Sequence, residues 1–565
     1  MKILYTIPFL LSAPAYAQTV GGSTEILHQW TGAAPYDGAY KVSGAGDVNG
    51  DGFDDLIVGA DTTDPGGLSN AGSAYVYSGV DGSLLYQWDG TASGDSFGVF
   101  VSGAGDMNGD GFADLVIGAR DASPGGLPNA GSAFAYSGVD GSLLYQWDGV
   151  GQSDRFGSYV SDAGDINGDG FGDVIIGARD ASPGALINAG SAYAYSGADG
   201  SLLHQWDGEA ASDRFGSIVS GAGDVNGDGT PDLVVGAFAA DPGGLTSAGS
   251  AYVYSGADGL LLYRWDGEAE WDHFGGAVSG AGDFNGDGFD DVAVGASSAS
   301  PGGLSSAGSA YVYSGADGSL LHQWDGGGPT GYFMGTSVSD AGDVNGDGTP
   351  DLLIGLLRKH NSGQGWHCAA NVYSGLGGAL IHEWDTEPGA SSLSVQVSGA
   401  GDVNGDGFAD LMLGAIGPEP AGFTNAGMVF VYDFQPFLLT NTRTISATAG
   451  GVLDITLDFP DAAASQEYIT LMSIHGTGPI EYGVDIPLSL DNYLHDSAAG
   501  IYPFSTTSDL HGTLDSLGDA TAVITFPAGA FHFAVGRTFW LAAVSFPTGQ
   551  LPAYSSAAVA VEILP

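Results

Sequence analysis

Through residue 435 this chain is written in short apolar bursts of four to six residues separated by Gly, Asp and Ser clusters. One unit shows the pattern: Phe97-Gly98 leads into Val101-Ser102, then an acidic loop, then the run Asp114 to Ala119. A Gly/Pro-rich connection follows, then Ala133 to Tyr136, a Gly-Val-Asp-Gly turn (Gly138 to Gly141), and Leu143 to Trp147. The runs are rich in Val, Ile, Tyr and Trp and bounded by turn residues, which signals strands; no stretch carries a helical period. Four strands, here A to D, recur in seven units about 59 residues apart. The expected fold is all-β: a seven-bladed β-propeller of four-stranded blades. A β-solenoid is the alternative, but its coils are usually shorter.

The offset of the copies predicts how the ring closes. Strand D ends at Trp30, Trp88, Trp147, Trp206, Trp265, Trp324 and Trp384, so its first copy precedes the first acidic loop. The last unit has its C strand, Val429 to Tyr432, and no D strand after it. Closure by the N-terminal strand, Ile26 to Trp30, in the last blade would hide two open sheet edges. The repeat stops at Gln435-Pro436, so the propeller is assigned to 25–435. Residues 437–565 keep alternating apolar stretches with Pro and Gly between them, which predicts a separate C-terminal sandwich-like all-β domain.

The acidic loop reads Asp-x-Asn-Gly-Asp-Gly-x-x-Asp in all seven units, starting at Asp47, Asp106, Asp165, Asp224, Asp283, Asp343 and Asp402. Positions 1, 3 and 5 throw side-chain oxygens to one side of a tight turn, Gly at position 6 supplies the bend, and Asp at position 9 closes the cage. Hard, flexible oxygen donors suit Ca2+, about seven ions in all, and the spacing shares its first half with the EF-hand loop. Three carboxylates in nine residues would otherwise repel one another in a partly buried site.

Composition sharpens this. Gly is 98 of 565 residues, yet aromatics stay at 11%, so the glycines are turn punctuation in a chain able to build a core. Acidic residues outnumber basic ones 66 to 11, a formal charge of −55 that disfavours nucleic acid and anionic membrane as partners. A single cysteine, Cys368, excludes an intramolecular disulfide. Residues 1–17 read as a cleaved secretory signal peptide, with Lys2, an apolar stretch from Ile3 to Leu11 and Ala15-Tyr16-Ala17 before the cut. No later apolar run reaches the ~20 residues that span a bilayer. A secreted or cell-surface, extracellular location without membrane insertion is expected.

Phe-Gly, the Asp loop and the following Val/Ile-Gly-Ala together resemble FG-GAP repeats, the units of the integrin α-subunit β-propeller, from about Glu25 to Tyr432. That resemblance implies calcium in the loop between the first two strands of each blade and a role in adhesion or ligand binding. It implies these metal ligands: Asp47, Asn49, Asp51 and Asp55; Asp106, Asn108, Asp110 and Asp114; Asp165, Asn167, Asp169 and Asp173; and Asp224, Asn226, Asp228 and Asp232. The last three loops would supply Asp283, Asn285, Asp287 and Asp291; Asp343, Asn345, Asp347 and Asp351; and Asp402, Asn404, Asp406 and Asp410. Position 7 (Phe53, Phe112, Phe171, Thr230, Phe289, Thr349, Phe408) would add a carbonyl. The chain departs from the family in carrying all seven loops. Its first and last blades lack Phe-Gly, with Gly38-Ala39 and Ser394-Val395 at about that place, and the sixth has Phe333-Met334-Gly335. No integrin leg domains follow.

In an antiparallel blade the A–B and C–D turns share one face and the B–C and D–A loops the other. The first face is nearly constant around the ring. The second varies, and variable loops on a rigid repeated frame are the expected binding surface. Its candidates are Arg155, Arg214, Trp271, His273 and Tyr332. In the sixth unit Arg358 to Cys368 replaces the usual B–C loop; its His360, His367 and Cys368 lack a further ligand motif, so loop divergence is favoured over a transition-metal site. His28, His204, His322 and His382 alternate with Tyr86, Tyr145 and Tyr263 in strand D and read as space-fillers beside Trp. Gly94 to Gly98 matches G-x-S-x-G only formally, since sister units replace its Ser with Arg or His. The expectation is a calcium-binding, non-catalytic binding or adhesion module for an extracellular protein or glycan. The alternatives are an extracellular polysaccharide-active enzyme, which would need an asymmetric acid/base pair, and a structural envelope component.

Overall fold

In the computed structural model the chain divides into two compact units, one of them Thr24–Pro436. Described within that unit are residues 24–32, 37–327, 332–359, 366–375, 377–385, 394–416 and 426–436; beyond 437 the description covers chiefly strands. The proposed signal segment, 1–17, lies outside the described residues.

Thr24–Pro436 is a seven-bladed β-propeller. Six blades are separate four-stranded antiparallel sheets in sequence order, such as Asp173–Ala178 between Phe156–Gly164 and Ser191–Tyr195, with Leu202–Asp207 outermost. Strand B is covered on both faces by neighbouring blades, which is why it reads as a continuous apolar run and is buried along its whole length in blades one, three and four. Strand D forms the rim, so it alternates exposed and half-buried positions.

The seventh blade closes as the offset predicts. Its order is Ser394–Gly401, Asp410–Ile416, Met428–Pro436 and then Val20–Thr31, the N-terminal strand. Leu27 and Trp30 pack against the core formed by blades seven and one.

A clasp joins every pair of neighbours. Each strand-D Trp packs its ring, stacked or tilted, on the strand-C aromatic of the next blade: Trp88 on Tyr136 (4.6 Å between ring centroids), Trp265 on Tyr313 (4.4 Å), Trp324 on Tyr373 (4.7 Å). Trp384 on Tyr432 and Trp30 on Tyr77 carry the same contact across the closure. The indole N–H of Trp88, Trp147, Trp206, Trp265 and Trp324 donates to a glycine carbonyl in the next blade's C–D turn.

The glycines of the repeat signature lie where blades touch. A Cβ on Gly177 of strand B would fall 2.1 Å from the carbonyl oxygen of Gly216, the Phe-Gly glycine of the following blade. Phe97, Phe156, Phe215 and Phe274 each bridge in parallel to the glycine before strand C of the preceding blade. Met334 makes that bridge in the sixth blade, so Met334-Gly335 stands in for Phe-Gly there. At the first blade the amide of Ala39 donates to Ala426, as Phe97 does to Ala71, which places Ala39-Tyr40, not Gly38-Ala39, at the Phe-Gly position.

Beyond Phe437 the described strands form two larger sheets and a two-stranded one, Pro479–Glu481 with Asp485–Pro487. One runs Leu438–Thr440, Gly451–Asp458, Asp519–Phe526, Thr506–Ser508; the other centres on Glu467–Ser473 and Thr538–Phe546, flanked by His511–Thr513, Tyr554–Ser556 and Val559–Leu564. Ile455 and Leu457 from the first sheet and Leu541 and Ala543 from the second are buried. No described helix is long and apolar enough to cross a membrane.

Candidate functional site

Two features occupy opposite faces of the propeller. The first is the ring of acidic loops. In the first blade Asp47 accepts from the amides of Gly50, Asp51 and Gly52, while Asn49 accepts from Asp51 and Asp51 from Phe53. Position 9 is the hub: Asp55 is fully buried, and its two oxygens accept from the amides of Val48, Asn49 and, in the C–D turn, Gly79. The last contact ties the A–B and C–D turns together on one face. It recurs for Asp114, Asp173, Asp232, Asp291 and Asp351. The seventh blade breaks the rule, because its D strand arrives from the N-terminus and no C–D turn exists; Oδ1 of Asp410 is buried without a hydrogen-bond partner.

These loops hold uncompensated negative charge. Burial, aided by neighbouring loop carboxylates, pushes Asp55, Asp114, Asp173 and Asp232 up to about 6, Asp291 to about 7, Asp410 to about 8 and Asp351 well above the ordinary carboxylate range. A hard all-oxygen donor set, a buried charge lacking a counter-ion and the orphaned oxygen of Asp410 fit a divalent cation. Among the described residues no three His, Cys, Asp or Glu side chains converge into a preformed metal cage; the loop carboxylates cap amides instead.

Sequence reasoning gave position 7 only a carbonyl role and passed over position 8. Phe112, Phe171, Phe289 and Phe53 lie against the position-4 glycine of the preceding loop, Gly50, Gly109, Gly227 and Gly405. Position-8 amides donate to the position-1 carbonyl of that loop: Ala113 to Asp47, Gly172 to Asp106, Asp290 to Asp224. Asp54 accepts from the amide of Asp402 and so links the loops of blades one and seven. The signal was available, since an aromatic recurs at position 7, but its partner is a blade away.

The opposite face is marked by contacts between B–C and D–A loops, such as Ser96 N–H to Asn70 and Phe97 N–H to Ala71. Among the described residues, five B–C loops hold a short 3-10 turn, Pro65–Gly67 in the first. On this face the structure gathers four of the five candidates. Arg155 pairs with Asp121 (3.2 Å) and Asp180 (3.1 Å), and Arg214 reaches Asp180 (3.9 Å) and lies over Phe238. His273 meets Phe238 and Trp271 edge-on and bonds Ser298. Trp271 is 57% exposed. Tyr332 pairs instead with Arg358, whose guanidinium lies over its ring. Arg120 and Arg179, at the ends of strand B, complete the cluster unforeseen.

The sixth blade's divergent segment is a longer hairpin. Arg358 pairs with His367 and Lys359 with Trp366 in register, extending strands B and C where a loop was expected. Residues 360–365 lie outside the described residues. Cys368 is fully buried among Leu353, Trp384 and their neighbours, and burial pushes its thiol up to about 12. Strand-D histidines behave as space-fillers: the Nε2–H of His204 donates to the carbonyl of Gly256 as Tyr263 donates to that of Gly315.

Comparison with known proteins agrees with this architecture. The FG-GAP repeat matches residues 39–77, 97–136, 215–254, 274–313 and 395–432, which are blades one, two, four, five and seven. This chain carries FG-GAP repeats on a propeller and is similar to integrin α subunits. Integrin alpha-5 of Xenopus laevis is 30% identical over 221 residues, 36% of this chain and 20% of that protein. Integrin alpha-V of Gallus gallus is 31% identical over 212 residues, with the same shares. Human integrin alpha-IIb reaches 35% over 170 residues, 27% of this chain and 16% of its own. The FG-GAP chain thus spans about a fifth of the length of the curated relatives it matches. A solved structure described as the Dos1 propeller covers 73% of this chain and 95% of its own at 10% identity, with a TM-score of 0.38, too low to weigh.

Proposed function

We propose that this FG-GAP propeller is a calcium-braced, secreted, non-catalytic binding or adhesion module. Its ligand, an extracellular protein or glycan, would be held by the B–C/D–A face. The observation that carries the reading is the segregation of sequence variation: one face repeats the same acidic loop seven times, while Ser96, Arg155, Arg214 and His273 follow one another at one equivalent position on the other. A frame kept constant with one varied surface is the organisation of a binding protein. The likeness to integrin α subunits supports adhesion or binding over catalysis.

Calcium would be held by positions 1, 3, 5 and 9 of each loop, from Asp47, Asn49, Asp51 and Asp55 to Asp402, Asn404, Asp406 and Asp410. When bound, the ion neutralises the buried carboxylates and stiffens the turn between strands A and B. The chain's own contribution is to pre-shape the loop, by amide capping and by the tie from position 9 to the C–D turn. The test is calorimetric titration and a thermal melt of EDTA-stripped mature protein. Uptake of about seven ions with a large rise in Tm is expected; no uptake and an unchanged melt would remove calcium from the reading.

A further inference from the structure

The chain carries eleven Lys and Arg against 66 Asp and Glu, yet five of those eleven lie in one arc of blades one to four. Arg120, Arg155, Arg179 and Arg214 share Asp61, Asp121 and Asp180: Arg120 to Asp121 (3.1 Å) and Asp61 (4.0 Å), Arg179 to Asp180 (3.6 Å), the others as above. Lys41 adds a fifth charge that acts on Asp61 together with Arg120. Four guanidinium groups over three carboxylates leave a positive excess. They also leave most N–H donors free, since each guanidinium has five. The Nε of Arg179 is buried and faces Asp180 only at ion-pair distance, and the four side chains keep 26–38% of their surface open.

Arg155, Arg214, Trp271 and His273 all have left-handed φ angles, 54°, 55°, 67° and 55°. Glycine would occupy such positions at lower cost, and this chain uses glycine freely elsewhere. The conformation belongs to the loop position, since Ser96, Ser153 and Ser212 share it (54°, 64° and 71°), and it sets these side chains at matching places in successive blades. The arc then passes without a break from charge to aromatic surface: Arg214 over Phe238 (5.8 Å), Phe238 to His273 (5.7 Å), His273 to the exposed Trp271 (6.4 Å).

We infer that this arc binds an acidic polysaccharide, its arginines taking successive carboxylate or sulfate groups and Trp271 stacking on a sugar ring. The proposal rests on the binding-module reading and names its ligand class. A row of preorganised guanidinium forks, spaced from blade to blade, suits a polymer with regularly repeated anionic groups. The exposed indole beside them suits the flat apolar face of a sugar. At physiological salt the ~8 Å screening length limits the repulsion from carboxylates elsewhere on the ring.

The experiment immobilises the full calcium-loaded protein and measures binding of hyaluronan (carboxylate), dextran sulfate (sulfate), neutral dextran and poly-L-glutamate. The variants are Arg214→Gly, Arg179→Gln and Trp271→Ala. Binding of either anionic glycan, weakened about tenfold or more in each arginine variant, is expected; which of the two binds identifies the anionic group. Arg214→Gly should keep or slightly raise its Tm, because it relieves the left-handed backbone, so lost binding there is not lost folding. Equal binding of neutral dextran, preference for poly-L-glutamate, unaltered binding by the arginine variants, or no binding to any of the four polymers would each overturn the proposal. The calcium titration above is read separately, so the bracing and this ligand stand or fall on different results.

Discussion

Deleting Glu25 to Trp30 removes the D strand of the seventh blade and tests whether the ring is one cooperative body. The six residues make about six ladder hydrogen bonds, each worth roughly 1 kcal/mol net. The stack of Trp30 on Tyr77, 4.5 Å between centroids, adds about 0.5–1.5 kcal/mol. Re-exposing half-buried Leu27 and Trp30 adds about 1–2 kcal/mol more. The total, about 8 kcal/mol, is comparable with the entire 5–15 kcal/mol typical of a domain. Denaturant titration of the mature protein should therefore show the deletion shifting the midpoint drastically or abolishing the cooperative transition. Trp30→Ala alone should cost about 2–3 kcal/mol, and Ile26→Ser, at a 47% exposed position, within about 0.5 kcal/mol. A deletion protein with the same midpoint and the same slope as the full chain would refute closure by this strand.

Four further outcomes are expected. Gly177→Ala should destabilise by about 3 kcal/mol or more in a denaturant melt, because the new Cβ meets the backbone carbonyl of Gly216 at 2.1 Å. Asp228→Asn should lower calorimetric calcium uptake by one ion and leave the remaining loops filled. Burial pushes His382 down to about 4 against the weaker pull of Glu383, so the native state binds fewer protons than the unfolded one between about 4 and 6.5. Its contribution is then fully present above pH 6.5 and falls by about 2–3 kcal/mol toward pH 4; the difference between wild type and His382→Tyr, the residue found in sister blades, isolates it. Cys368, fully buried with its thiol at about 12, should resist maleimide in the native protein and react once denaturant is added.

Architecture was readable in the sequence because strand B is buried on both faces and strand D on one, so each writes its own pattern in every unit. Closure was readable from counting, since Trp30 precedes the first loop and nothing like it follows Tyr432. Contacts reaching from one blade to the next were not. Phe112 beneath Gly50, Asp54 on the amide of Asp402 and Arg155 bridging Asp121 and Asp180 join residues at least 25 apart, with no periodic trace of the partner. The sixth blade misled for a different reason: Arg358 and His367 look like loop residues by composition, yet they continue a ladder whose inner positions, Leu357 and Cys368, are apolar.

The clasp of Trp on the next blade's aromatic, running seven times round and through the closure, means that this array has no first or last member. Open solenoids must spend their terminal units on polar caps and so cannot keep all copies alike. Here every copy has two equivalent neighbours, and likeness among copies carries no penalty at an end. The same logic makes the point where the chain begins arbitrary: joining residue 24 to 436 and reopening the ring between blades three and four should return the same propeller.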